Sequence, residues 1–291
     1  MKELVILSGK GGTGKTSLTA ALATLATGCL LCDADVDAAD LHLLMQPDIR
    51  KQTDFQGGGV PVINLQRCTE CGTCIEMCRW SAIGSDFTVD EIGCEGCGVC
   101  VDFCPEQAID FRVKTCGQWF ISETRFGPMV HARLGIAEEN SGKLVTLVRQ
   151  QAKQLAEDKG IDLIITDGPP GVGCPVIASV GGASGTLIVT EPTVSGIHDM
   201  KRAVDLCRHF NVPVMVCINK FDLNPENSAT IEAMARDAGL PVVGRIPFDP
   251  HFTHAMVQGK TLISFDGSAP AAESIRQVWA AIRRSPAMTT G

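Results

Sequence analysis

The chain has 291 residues, 45% hydrophobic and 20% charged, with a formal net charge of −8. That length suits one large α/β domain with something small added, in a composition ordinary for a soluble globular protein. No apolar run approaches the ~20 residues of a membrane span, and no basic stripe marks a nucleic-acid surface, so neither partner is expected.

From the N-terminus, Lys2–Ser8 (KELVILS) reads as a buried parallel strand. It has neither the basic region nor the cleavage site of a signal peptide, so a cytoplasmic protein is expected. Residues 17–27, rich in Ala and Leu, read as a helix, and 29–32 (CLLC) as a second buried strand running into Asp33-Ala34-Asp35-Val36-Asp37. Buried strands recur at 163–166, 186–189 and 214–218, with helical patterns at 143–158, 196–210 and 229–238. Strands alternating with helices imply an α/β fold, a mostly parallel sheet covered by helices on both faces.

A cysteine-rich stretch interrupts that rhythm. Of 14 cysteines, eight lie between Cys68 and Cys104, and such clusters in a cytosolic chain mean metal more often than disulfides. The stretch follows Gly57-Gly58-Gly59, read as a flexible link, and its two halves repeat at about 26 residues. Residues 58–112 hold nine acidic against three basic side chains, so most of the net charge sits there. The expected division is a nucleotide domain at 1–56 and 113–291, and an inserted domain at 57–112.

The first chemical motif is Gly9-Lys10-Gly11-Gly12-Thr13-Gly14-Lys15-Thr16, followed by Ser17. Glycines let backbone N–H groups curl round phosphate oxygens at a helix N-terminus. Lys15 can reach the β- and γ-phosphates, and the Thr16 hydroxyl can ligate Mg²⁺. The plain alternative is a glycine-rich turn. KGGTGKT resembles the deviant P-loop of the MinD, ParA, Mrp and nitrogenase iron protein family. That resemblance implies ATP or ADP with Mg²⁺, slow ATP hydrolysis, and a homodimer with nucleotide sandwiched between subunits. It also implies that Lys10 reaches the partner's ATP. Asp33 and Asp35 look like switch I, Asp35 orienting the attacking water and Asp33 supporting the metal site. Asp167-Gly168-Pro169-Pro170-Gly171 looks like switch II, with Asp167 holding Mg²⁺ through water. Asn219-Lys220-Phe221-Asp222 resembles a base-reading loop, with Asn219 contacting adenine.

The second motif is Cys68-x₂-Cys71-x₂-Cys74-x₃-Cys78 followed by Cys94-x₂-Cys97-x₂-Cys100-x₃-Cys104-Pro105. The alternative, a pair of zinc knuckles, calls for CxxC pairs rather than this third and fourth spacing. The spacing resembles bacterial two-cluster ferredoxins, in which three cysteines of one run and the fourth of the other hold each cluster. By that resemblance the insert is an α+β ferredoxin-like domain. Cys68, Cys71, Cys74 and Cys104 would hold one [4Fe–4S], and Cys78, Cys94, Cys97 and Cys100 the second. The pattern departs at Arg79, where proline usually follows the fourth cysteine. Cys174 lies seven residues after Asp167, the offset of a cluster ligand in the nitrogenase iron protein. It reads either as an interface cysteine or as an ordinary packed one.

The combination implies an ATPase that couples nucleotide state to electron transfer or to metal-cofactor assembly, with a redox or metal-cluster protein as partner. The alternative is a spatial or assembly switch like MinD and ParA whose clusters are only structural. Ile275, Val278, Trp279 and Ile282 form one apolar stripe, read as a final helix packed on the sheet rather than a membrane tail.

Overall fold

The computed structural model describes residues 1–135 and 141–289. Its strands are β1 (Lys2–Ser8), β2 (Leu30–Asp33), β3 (Asp48–Ile63), β4 (Ile109–Thr124), β5 (Gly127–Leu134), β6 (Leu163–Pro170), β7 (Gly185–Thr190), β8 (Val214–Asn219) and β9 (Val242–Ile246). They form one sheet in the order β3-β4-β5-β2-β6-β1-β7-β8-β9. Every ladder from β5 across to β9 is parallel. The helices of the first half are α1 (Lys15–Leu25), α2 (Leu41–Met45), α3 (Thr73–Met77), α4 (Val99–Asp102) and α5 (Ser141–Lys159). Those of the second half are α6 (Cys174–Val180), α7 (Val194–His209), α8 (Pro225–Asp237), α9 (His251–Val257), α10 (Leu262–Phe265) and α11 (Pro270–Arg284).

The strand period of two explains the two cores. Along β1, Leu4 and Ile6 face a core shared with α1 and α11, while Val5 and Leu7 face one shared with α6, α7 and α8. Both faces are covered, which is why the central strands are apolar throughout rather than alternating. Two helix starts are fixed by local chemistry. Thr193 Oγ1 accepts from Gly196 N (3.0 Å) ahead of α7, and Asn224 Oδ1 accepts from Asn227 N (2.9 Å) ahead of α8, where Pro225 takes the first helical position. α11 buries Ile275, Val278 and Trp279 against the first core, so its apolar stripe is occupied by the sheet and α1.

The chain divides into two compact units. One comprises Met1–Gln52, Trp119–Arg133 and Ser141–Gly291, and the other Thr53–Gln118 with the segment from Leu134. The second is wider than the 57–112 expected, because β3 and β4 carry the chain out and back as strands. Gly57-Gly58-Gly59 is not a flexible link: it lies inside β3. A Cβ on Gly57 would meet the Phe55 ring, and one on Gly59 the Phe111 ring. The glycines are there so that aromatic rings can lie on the strand.

In the second unit the 26-residue repeat becomes a structural one. Glu70 and Gly96 take φ of 56° and 57°, Gly72 and Gly98 take 76° and 78°, and Ser81 and Gln107 take 52° and 48°. Each half thus makes two left-handed turns, then a short helix, α3 or α4, and then a third left-handed turn. The buried core of this unit is Cys74, Ile83, Cys100 and Ile109, with Ile63, Phe87 and Val89 around it.

Candidate functional site

The first site stands at the carboxyl ends of the central strands, where an open α/β sheet takes its ligands. Residues 9–14 form the loop that joins β1 to α1, and Lys15 and Thr16 open the helix. Gly14 has φ 88°, and a Cβ there would collide with the Asn219 amide nitrogen, so glycine is required twice over. α1 starts with no side-chain cap and no acidic residue in its first turn. Its first N–H groups, with the positive end of the helix dipole, are left for an anion.

Beside the loop, β2 and β6 run in register, so Asp33 stands next to Asp167. Lys15 Nζ lies 3.0 Å from Asp167 Oδ1 and 3.2 Å from Asp35 Oδ2, and its side chain is only 6% exposed. Burial alone lowers its pKa, but the Asp167 and Asp35 carboxylates more than offset this and raise it. Thr16 Oγ1 donates to Asp167 Oδ2 (2.7 Å) and Thr19 Oγ1 to Asp167 Oδ1 (2.8 Å). Burial and the neighbouring Asp167 charge push Asp33 well above the usual carboxylate range. Asp35 N donates to Asp33 Oδ1 at 3.2 Å, and Asp33 Oδ2 is buried with no partner.

Asn219 ends β8 and donates from Nδ2 to the Thr13 carbonyl (2.7 Å). Lys220 Nζ donates to the Gly12 carbonyl (2.9 Å) and to Glu191 Oε2 (3.0 Å). Lys10 Nζ pairs with Glu191 Oε1 at 2.8 Å. Ser17 Oγ faces Met256 Sδ on α9 at 3.5 Å. Asp222 Oδ1 accepts from Phe248 N (2.7 Å), tying the loop after β8 to the loop after β9. Buried orphan polar atoms are uncommon. Thr13 Oγ1, Asp33 Oδ2 and Asn219 Oδ1, three of the four found among the described residues, surround this one loop. These are the marks of a site shaped for a polar ligand.

The second unit holds two cavities. One is lined by Cys68, Cys71, Cys74 and Cys104, with Ile63, Phe87 and Ile109. The other is lined by Cys78, Cys94, Cys97 and Cys100, with Ile83, Met77 and Trp80. Each thus takes three thiols from one run and the fourth from the other. Ala82 N donates to Cys78 Sγ (3.4 Å) and Ala108 N to Cys104 Sγ (3.3 Å), again at equivalent places in the repeat. The thiols ring the cavities rather than converge: among the described residues no three His, Cys, Asp or Glu side chains are placed to hold a single metal ion. All 14 cysteines are free thiols.

Cys174 is exposed at the start of α6, whereas Cys116 is buried in β4. Cys29, Cys32, Cys207 and Cys217 are buried as small core residues, burial pushing Cys29 up to about 11 and Cys217 to about 12. No helix among the described residues is long and apolar enough to cross a membrane.

Residues 4–263 match the family described as the CobQ/CobB/MinD/ParA nucleotide binding domain. The chain belongs to that family. An uncharacterized protein of Methanocaldococcus jannaschii is 31% identical over 280 residues, covering 95% of each chain. A cytosolic Fe-S cluster assembly factor NUBP2 homolog of Nematostella vectensis is 27% identical over 133 residues, which is 40% of this chain and 49% of that one. Among solved structures, the MinC:MinD cell division protein complex of Aquifex aeolicus aligns with TM-score 0.59 at 20% identity, covering 98% of this chain and 97% of that one. At such identity the likeness establishes the fold, an α/β P-loop nucleotide-binding fold with a mostly parallel sheet.

The fold of this CobQ/CobB/MinD/ParA family member brings Lys15, Asp33, Asp35, Asp167 and Asn219 to one place. Sequence reasoning missed Glu191, Thr19 and Phe248, and gave Lys220 no role. Glu191 and Phe248 follow the carboxyl ends of β7 and β9. That topological position was the one signal that could have found them.

Proposed function

We propose that the chain is a Mg²⁺-dependent ATPase whose inserted unit carries two [4Fe–4S] clusters, and that nucleotide state is coupled to electron transfer or to handling of metal clusters. The observation that carries the reading is the crossed lining of the two cavities, four thiols each. Soft thiolates suit iron–sulfur chemistry, and their spread round a cavity suits a polynuclear group better than one zinc ion. The unit's small core gives it little to fold around except such groups.

The residues round the loop fit Mg²⁺: Thr16, Asp33 and Asp167 are hard oxygen donors, and one Asp33 oxygen is orphaned. Bound Mg²⁺ would supply charge neutralisation on the phosphates. The loop N–H groups and Lys15 hold the phosphate oxygens, and Lys15 exchanges its carboxylate partners for them. Asp35 orients the water whose oxygen bonds to the γ-phosphorus as the bond to the ADP oxygen breaks. Asn219, anchored on Thr13 with Oδ1 still open, is available to the adenine amino group. In a nucleotide-sandwich homodimer Lys10 would serve the partner's ATP. Bound clusters would supply one-electron chemistry. The chain's own part is to hold them by Cys68, Cys71, Cys74 and Cys104, and by Cys78, Cys94, Cys97 and Cys100. Backbone N–H groups such as those of Ala82 and Ala108 approach the sulfurs.

The test is anaerobic purification with iron and sulfide counts, then ATP hydrolysis by oxidised and reduced protein. The reading expects about eight of each per chain and a hydrolysis rate that depends on redox state, since coupling is reciprocal. Iron-free or zinc-loaded protein would sink it. Full iron with redox-independent hydrolysis would favour the second reading, an assembly switch with structural clusters, which the fold-level likeness to MinD supports. For that reading the burial of the α11 stripe argues against recruitment to a membrane.

A further inference from the structure

Glu191 lies in the connection from β7 to α7 and divides its two oxygens between two lysines. Lys10 Nζ is 2.8 Å from Oε1 and Lys220 Nζ 3.0 Å from Oε2. Lys10 also donates to Thr193 Oγ1 (3.3 Å) and Ser195 Oγ (2.9 Å). All three of these partners therefore sit on the β7–α7 connection and on α7. Lys10 belongs to a loop that recognises anions, yet its charge is committed to a carboxylate outside that loop. Burial alone would raise the Glu191 pKa, but hydrogen bonds and charge from Lys10 and Lys220 more than offset this and lower it, so the carboxylate is ionised at neutral pH.

The two lysines are held unequally. Lys220 has a second fixed acceptor, the Gly12 carbonyl, at 2.9 Å. The other partners of Lys10 are neutral hydroxyls on a surface where its side chain is 31% exposed. When Lys10 leaves, Glu191 keeps Lys220 and is not stranded as a buried unpaired charge, which would be costly. Lys10 is therefore the more readily released of the two lysines.

We propose that Glu191 is a positioning residue, a latch that holds Lys10 on the β7–α7 side in the nucleotide-free chain, and that binding of a nucleoside triphosphate draws Lys10 off it. Glu191 touches no phosphate and acts only through Lys10. Its charge sets how much of the phosphate attraction is consumed in opening the latch. Partly exposed pairs of this kind are weak, so the effect is a tuning of affinity rather than an on–off switch. The inference rests on the nucleotide-site reading and is independent of the iron content of the second unit.

The test uses the full anaerobic chain and a fluorescent N-methylanthraniloyl ATP titration. E191Q keeps the shape and one acceptor but removes the charge. It should bind ATP about threefold to fivefold more tightly, with KM for hydrolysis lowered and kcat within about twofold. The gain should shrink as salt rises, and it should vanish in a K10Q background. E191D, which keeps the charge, should behave as wild type. S195A, which removes one Lys10 acceptor and leaves the carboxylate and the Thr193 cap of α7 in place, should shift affinity the same way. A merely structural role would instead lower the unfolding midpoint and weaken binding in both E191Q and K10Q/E191Q. Unchanged or weaker binding by E191Q, or a gain that persists without Lys10, overturns the proposal. Wild-type protein that binds no ATP at all overturns the nucleotide-site reading instead.

Discussion

Lys15 is buried between Asp35 and Asp167, and those two carboxylates hold its ammonium in the charged state. Lys15→Gln should therefore cost more than phosphate affinity. It leaves buried carboxylates without a counter-charge, and loss of one partner of such a group typically costs about 3–5 kcal/mol. Urea unfolding should show the loss without nucleotide. Asp35→Asn should separate the roles differently, keeping ATP binding while slowing hydrolysis by about a hundredfold or more. Single-turnover assays with binding measured in parallel check this, and normal hydrolysis would remove Asp35 from the mechanism. His131 stands in register with Asp33 on β5, with Nε2 2.9 Å from Ser122 Oγ and its ring stacked on Phe120. Burial first, and then the charge of His42, lowers its pKa from 6.5 to about 4. The unfolded chain therefore binds the proton that the folded chain refuses. Stability should rise with pH between about 4 and 6.5, with up to about 3 kcal/mol lost at the acid end. His131→Asn should flatten that part of the difference curve in urea titrations at successive pH values. The loop glycines and lysines were legible because their meaning is local. The Lys10 contacts were not, since its hydroxyl partners lie 183 and 185 residues away.

At the scale of elements, the apolar runs of β1, β2, β6, β7 and β8 declared themselves, because strands covered on both faces carry no alternation to misread. β3, β4, β5 and β9 did not. β3 begins Asp-Ile-Arg-Lys-Gln-Thr, largely exposed and polar, and then runs through three glycines. Aromatic packing, which only the folded chain reveals, turns those glycines into strand. The crossed cysteine sets can be tested element by element. Cys78 follows α3, yet lines the cavity of Cys94, Cys97 and Cys100. Cys78→Ser and Cys97→Ser should each lower iron from about eight to about four atoms per chain, and the double variant should lose no more. Cys78→Ser with Cys71→Ser should lose both clusters. If Cys71 and Cys78 proved to be the non-additive pair, each run would fold on its own cluster and the crossing would be wrong.

At the scale of the molecule, the two units have separate cores of unequal size. One is built on two faces of a parallel sheet; the other centres on four buried residues, two of them cysteines. Heating iron-loaded protein should give a transition for the small unit that disappears after chelation of iron. The transition of the nucleotide unit should stay in place and rise with ATP and Mg²⁺. A single melting event insensitive to chelation would mean that the small unit does not depend on metal.

The three tryptophans are distributed unevenly across this arrangement. Trp119 and Trp279 are 6% and 9% exposed, whereas Trp80 is 54% exposed and lines the cavity of Cys78, Cys94, Cys97 and Cys100. Only Trp80 is open to a collisional quencher such as iodide, and only Trp80 borders a place where a strongly absorbing chromophore would reside. The molecule thus carries an intrinsic optical gauge: emission from one indole should dim as its neighbouring cavity fills and recover when it empties, with no label attached.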